Sequence, residues 1–133
     1  RVSYGAHEGW IEKGVTVRPY TLVSELFPRV TGEAPFQLPA SWSDAEQELS
    51  GETKFNFVGA TDVIGGNSGS PVIDSAGRLV GLVFDGNIHA ISGAYWFDAA
   101  RNRTVNVHPA IMLEALDRIY GADHLIDELT LVD

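Results

Sequence analysis

Gly65-Gly66-Asn67-Ser68-Gly69-Ser70-Pro71 interrupts two runs of strand-forming residues, and no other segment limits the possible folds so sharply. Upstream, Lys54-Phe55-Asn56-Phe57-Val58 alternates polar and apolar side chains, the pattern of a half-buried strand. Downstream, Pro71-Val72-Ile73 and Leu79-Val80-Gly81-Leu82-Val83-Phe84 flank Asp74-Ser75-Ala76-Gly77, a turn-forming cluster that predicts a hairpin. The chain is therefore expected to be mainly β, with a serine held among glycines between strands. That placement has a chemical meaning. A nucleophilic serine needs a sharp turn that presents its Oγ, and backbone N–H groups aimed where an oxyanion will form. Glycine serves both needs, because it adopts positive φ and lets a substrate approach the main chain.

Other elements are read less sharply. Val2-Ser3-Tyr4 and Val15-Thr16-Val17 read as short strands, and Tyr20 to Phe27 fits either a short helix or an extended segment. From Pro28 to Gly51 the residues predict a long irregular connection with one helical turn at Asp44 to Glu48. Tyr95-Trp96-Phe97 and Thr104-Val105-Asn106-Val107 read as a further pair of strands. Pro109 starts a helix where its missing N–H costs least. Ile111, Met112, Ala115, Leu116 and Ile119 form its apolar stripe and Gly121 ends it. Asp123 to Leu129 adds a further helical turn.

At 133 residues the length fits one domain with a single sizeable core. No apolar run approaches the ~20 residues that span a bilayer. No basic-then-apolar leader stands at the start, and since the chain opens on Arg1 this carries no information about a parent protein. The absence of cysteine excludes a disulfide framework and a cysteine zinc site. The formal charge of −9 argues against nucleic acid as a partner.

The serine loop is similar to the Gly-Asp-Ser-Gly-Gly-Pro signature of chymotrypsin-like serine proteases, with Asn67 for Asp and Ser70 for the last Gly. Thr61-Asp62-Val63-Ile64 leads into the loop, and Gly77-Arg78-Leu79-Val80-Gly81-Leu82-Val83-Phe84-Asp85-Gly86-Asn87 follows it. Together these segments resemble the C-terminal part of the bacterial serine dipeptidyl peptidases, the group containing dipeptidyl peptidases 7 and 11. The likeness is sharp from Phe55 to Asn87 and looser through the C-terminal helix. It implies a chymotrypsin/trypsin-like β-barrel fold, of which residues 1–133 would be the C-terminal portion: most of the second barrel over about 1–107, then a helix over about 109–120. It further implies a periplasmic or cell-surface enzyme without cofactor or metal, which cuts dipeptides from peptides with free N-termini. The resemblance leaves room for a homodimeric parent.

On this resemblance Ser68 is the nucleophile, and the N–H groups of Gly66 and Ser68 form the oxyanion hole. Losing one such donor typically lowers turnover ~100- to 1,000-fold. Asn67 cannot form the ion pair that an Asp makes with a newly freed N-terminus, so no zymogen switch of that kind is expected. Asp85 contacts the α-ammonium of the substrate, a charge-assisted bond that a blocked N-terminus would lose. Gly86 fits a primary pocket open to a large apolar side chain, where the acid-cutting subgroup carries Arg. An apolar residue is therefore expected in the second substrate position.

Two alternatives stand beside this reading. Asp62 lies six residues before Ser68, the offset at which trypsin-like endopeptidases place the Asp that selects Lys or Arg. The other alternative is a non-catalytic peptide-binding half-barrel, because a serine needs a His base oriented by a carboxylate. In the family that His and Asp precede the serine in the first barrel. None of His7, His89, His108 and His124 sits in such a motif; His89 reads as a loop residue and His108 as a flank of the helix. The chain by itself is expected to be inactive, with the missing N-terminal catalytic portion as its partner.

Overall fold

The computed structural model describes residues 2–130. Among the described residues, seven strands and three α-helices follow one another, with 3-10 turns between. Strands β1 (Trp10–Glu12) and β2 (Val15–Val17) make an antiparallel hairpin, Trp10 opposite Val17. The other five strands are β3 (Tyr20–Leu22), β4 (Lys54–Gly59), β5 (Pro71–Ile73), β6 (Leu79–Gly86) and β7 (Thr104–Val107). They form one sheet in the order β3-β4-β7-β6-β5, in which β4, β7, β6 and β5 pair antiparallel.

The contacts divide the chain into two compact units. The first takes residues up to Thr21 with Asn56–Pro109, and the second Leu22–Phe55 with residues from Ala110 on. In the first unit Phe57 and Val83 are buried, and a Cβ on Gly81 would stand 2.4 Å from the Phe57 ring. That unit also buries polar groups on β7: Thr104 and Asn106 are each 1% exposed. The Thr104 hydroxyl donates to the Gly59 carbonyl at 3.1 Å, and Asn106 Nδ2 donates to the Phe57 carbonyl at 3.3 Å. Buried polar side chains survive on such partners.

Arg103, 3% exposed, fastens the same unit. Its Nε and Nη2 donate to the Gly9 carbonyl at 3.0 and 2.8 Å, and its Nη1 donates to the carbonyls of Ala99 and Asn102 at 3.0 and 2.7 Å. Nη2 also reaches the Glu8 carboxylate at 3.3 Å.

In the second unit, α1 covers Ala40–Asp44 and α2 covers Pro109–Glu114, which widens into a π turn over Ala115–Ile119. Helix α3 covers Asp123–Thr130. Val23, Ala45, Leu49, Ile111, Ala115 and Ala122 are its buried apolar residues. Trp42 Nε1 donates to the Tyr120 hydroxyl at 3.1 Å, and the Glu114 carboxylate accepts the Ser50 N–H.

Two local expectations change. Residues 2–4 are not a strand: β2 takes the nearer Trp10–Glu12 as its partner, and Ser3 Oγ accepts the Asp62 N–H at 2.9 Å instead. Tyr95-Trp96-Phe97 is not a strand either, because β7 already has β4 and β6 on its two edges. Those residues instead follow a 3-10 segment over Ile88–Ala94. The single helical turn expected at Asp44 to Glu48 is preceded by α1, and beyond it the Glu48 and Leu49 N–H groups donate to the Ala45 carbonyl at 2.9 and 3.2 Å.

Candidate active site

The loop carrying Ser68 is irregular and is tied at its entrance and exit. Gly66 has φ +96°, a left-handed conformation that a residue with a Cβ adopts only at a cost. Asn67 Oδ1 accepts the Ile64 N–H at 2.9 Å, and the Asn67 N–H donates to the Ile64 carbonyl at 3.2 Å. The amide at position 67 thus folds the loop back on its own entrance. On the far side, the Gly69 N–H donates to the Val83 carbonyl at 2.7 Å, and the Val83 N–H donates to the Ser70 carbonyl at 2.9 Å. Ser68 is left exposed, its hydroxyl donating to the Phe84 carbonyl at 3.2 Å. Among the described residues, the N–H groups of Gly66 and Ser68 have no acceptor.

Strand β6 prepares the facing wall. Its register against β7 shifts between Val83 and Asp85, which makes Phe84 the extra residue of a bulge. Bulges re-aim side chains and recur beside functional sites. Asp85 follows the bulge, exposed, with Oδ1 accepting the Gly86 N–H at 2.7 Å. Asn87 locks the strand end: its Nδ2 donates to the Arg101 carbonyl at 2.7 Å, and its Oδ1 accepts the Arg103 N–H at 3.1 Å. A cleft of about 210 Å³ runs between loop and strand, lined by Ser68, Asp85 and Gly86 together with Ile64, Asn87, Ala90 and Ile91 among others.

Three of the four residues named from the sequence thus meet in one cleft, and Gly66 stands two residues from Ser68 in the loop. Asp62 is not among the residues that line it. No histidine lines it among the described residues. His89 Nε2 lies 2.6 Å from Glu12 Oε2, and Trp10 Nε1 donates to the same carboxylate oxygen at 3.0 Å. The hydrogen bond from His89, then that from Trp10, holds the Glu12 carboxyl below its ordinary range. His7 packs against the Tyr20 ring at 4.5 Å, and His108 meets Phe57 edge-on at 6.0 Å. His124 is exposed on α3.

Sequence reading missed Ala90 and Ile91 as cleft residues, since a 3-10 segment lacks any strong periodic signal. It also missed the bulge, which only the pairing register reveals. A second, wider cleft of about 700 Å³ lies in the other unit, where Glu114, Asp117, Asp123 and Asp127 surround Leu113 and Ile126. Among the described residues, no group of three or more His, Cys, Asp or Glu is placed to hold a metal ion.

A mainly β unit carries an exposed serine on a glycine loop set against a bulged strand, and its fold is of the chymotrypsin-like class. Comparison with known proteins narrows the class. The model of the peptidase S46 family matches residues 1–131, and the chain belongs to that family. It is 33% identical over its whole length to dipeptidyl-peptidase 7 of Phocaeicola vulgatus, covering 20% of that protein. It is 31% identical to the Asp/Glu-specific dipeptidyl-peptidase of Shewanella putrefaciens over 99% of the chain and 22% of the relative. The chain therefore spans about a fifth of the length of these relatives. Among solved structures, Porphyromonas endodontalis DPP11 in complex with the dipeptide Arg-Asp superposes with a TM-score of 0.87 at 23% identity, over 96% of this chain and 20% of that one. No described helix is long and apolar enough to cross a membrane.

Proposed function

We propose that this chain supplies the serine-bearing half of a dipeptidyl peptidase that releases dipeptides from the free N-termini of peptides. The observation that carries the reading is the shared cleft. An exposed Ser68 hydroxyl faces Asp85 and Gly86, beside two N–H groups that have no other acceptor. Ser68 Oγ attacks the scissile carbonyl, and the N–H groups of Gly66 and Ser68 receive the oxyanion. Asp85 pairs with the substrate α-ammonium, which limits cleavage to unblocked chains. Relatives named dipeptidyl-peptidase 7 and Asp/Glu-specific dipeptidyl-peptidase match this chain about equally well. Gly86 supports the apolar preference, because it places no cation in the cleft to pair with an acidic side chain. The general base comes from the N-terminal catalytic portion of a longer, periplasmic or cell-surface parent.

The test is dipeptide release by the full-length parent from matched unblocked and N-acetylated peptides. Release from the unblocked peptides alone is expected, best when the second residue is Phe, Leu, Met or Tyr. Equal cleavage of both sets removes the reading. A second reading, a peptide-binding half-barrel without chemistry, is favoured by one observation: the Ser68 hydroxyl donates to a carbonyl and meets no histidine in its cleft. A serine-directed phosphonate separates the two, since labelling of Ser68 in the parent requires an activated hydroxyl.

A further inference from the structure

Gly86 and Ala90 lie against each other in the lining of the cleft. A Cβ built on Gly86 would lie 2.7 Å from Ala90 Cβ, closer than real Cβ atoms approach. The obstacle is a methyl fixed to the backbone, so relief requires the 3-10 segment to move. That segment is held. The Ala90 N–H donates to the Asn87 carbonyl at 2.9 Å, Ser92 Oγ donates to the His89 carbonyl at 3.1 Å, and His89 Nε2 is moored to Glu12 Oε2 at 2.6 Å. Ala90 and Ile91 line the cleft beside Gly86. The space left by the missing side chain at position 86 is therefore partly filled by the Ala90 methyl.

We propose that Ala90 is the specificity-determining residue that sets the depth of the primary pocket, with Gly86 as the residue that lets it sit there. The proposal rests on the dipeptidyl peptidase reading and deepens it. Two consequences follow from the contact. A larger side chain at position 90 shortens the pocket from within, since the segment that carries it is anchored at His89. Any side chain at position 86 is tolerated only when position 90 gives up its methyl.

The experiment uses the full-length parent and unblocked peptides whose second residue is Phe or Ala, with kcat/KM measured for each. Ala90→Val is expected to lower the Phe-over-Ala preference by about tenfold or more, the scale on which one or two methyl groups count in an apolar pocket. Gly86→Ala is expected to lose activity on both peptides, and Gly86→Ala with Ala90→Gly to regain most of it. Thermal unfolding of each variant separates lost folding from lost fit, and Ala90→Gly, which adds no atoms, is expected to favour the bulkier substrate. An unchanged Phe-over-Ala ratio in a folded Ala90→Val parent overturns the proposal, as does a double variant no better than Gly86→Ala. Absence of dipeptide release by the unmodified parent from any unblocked peptide overturns the functional reading and this inference with it. Release that continues with an unmoved ratio sinks the inference alone.

Discussion

At the scale of single residues, the candidate site is built from a few lightly bonded atoms: the Ser68 hydroxyl and the Asp85 carboxylate each make one hydrogen bond. Ser68 and Asp85 line one cleft, and among the described residues the N–H groups of Gly66 and Ser68 have no acceptor. Asp85 is the most informative to change. Its carboxylate accepts only the neighbouring Gly86 N–H in the bonds described, which leaves acceptor capacity for an incoming ammonium. Asp85→Asn in the full-length parent is expected to lower kcat/KM for unblocked peptides about 10- to 100-fold, the worth of one hydrogen bond to a charged group. The loss should fall mostly on KM, and steady-state kinetics on unblocked and acetylated pairs measures both the drop and the narrowed discrimination.

At the scale of elements, the turns are stapled by carboxylates. Asp74 closes the β5–β6 hairpin, with Oδ1 accepting the N–H groups of Ala76 and Arg78 and Oδ2 pairing with Arg78 at 2.8 Å. Asp98 does the same ahead of β7 with Ala100 and Arg101. Hydrogen bonding from Arg78 lowers the Asp74 pKa, and that from Arg101 lowers the Asp98 pKa. Glu12 is lowered by His89. A carboxyl whose folded pKa lies below its unfolded value stabilises the fold above the unfolded value, and that stability is lost as pH falls through the folded one. Unfolding midpoints followed from pH 7 to pH 2 should therefore begin to drop near about pH 4. The drop should be shallower in an Asp74→Asn, Asp98→Asn double variant.

The same elements explain what could be read from sequence. The β5–β6 hairpin was legible because Asp74-Ser75-Ala76-Gly77 has both the side-chain acceptor and the glycine that a tight turn uses. The serine loop was legible for the same local reason. Strand β7 was legible as a strand but not in its facing: Thr104 and Asn106 turn inward, and their burial depends on the carbonyls of Gly59 and Phe57, far away in sequence. Tyr95-Trp96-Phe97 has strand propensity without an available edge, a fact of topology that propensity cannot carry. Ala90 was invisible because its role arises from the absence of an atom on Gly86.

At the scale of the whole molecule, the two compact units draw on different means. The second packs a small apolar core of alanine, leucine, valine and isoleucine. The first depends on buried polar hubs, above all Arg103, which gathers chain segments from Glu8 to Asn102. Arg103→Met keeps much of the volume but leaves the carbonyls of Gly9, Ala99 and Asn102 without that donor. Stripping one partner from such a buried charged network costs about 3 kcal/mol or more. Urea denaturation of the variant, compared with the parent, measures the loss. A change within about 0.5 kcal/mol, the scale of an ordinary surface substitution, would contradict the hub.

The bulge at Phe84 ties these scales together. One extra residue both offers its carbonyl to the Ser68 hydroxyl and turns the next side chain toward the cleft. The Ser68 hydroxyl and the Asp85 carboxylate thus depend on a single backbone irregularity, and neither can shift without disturbing the other.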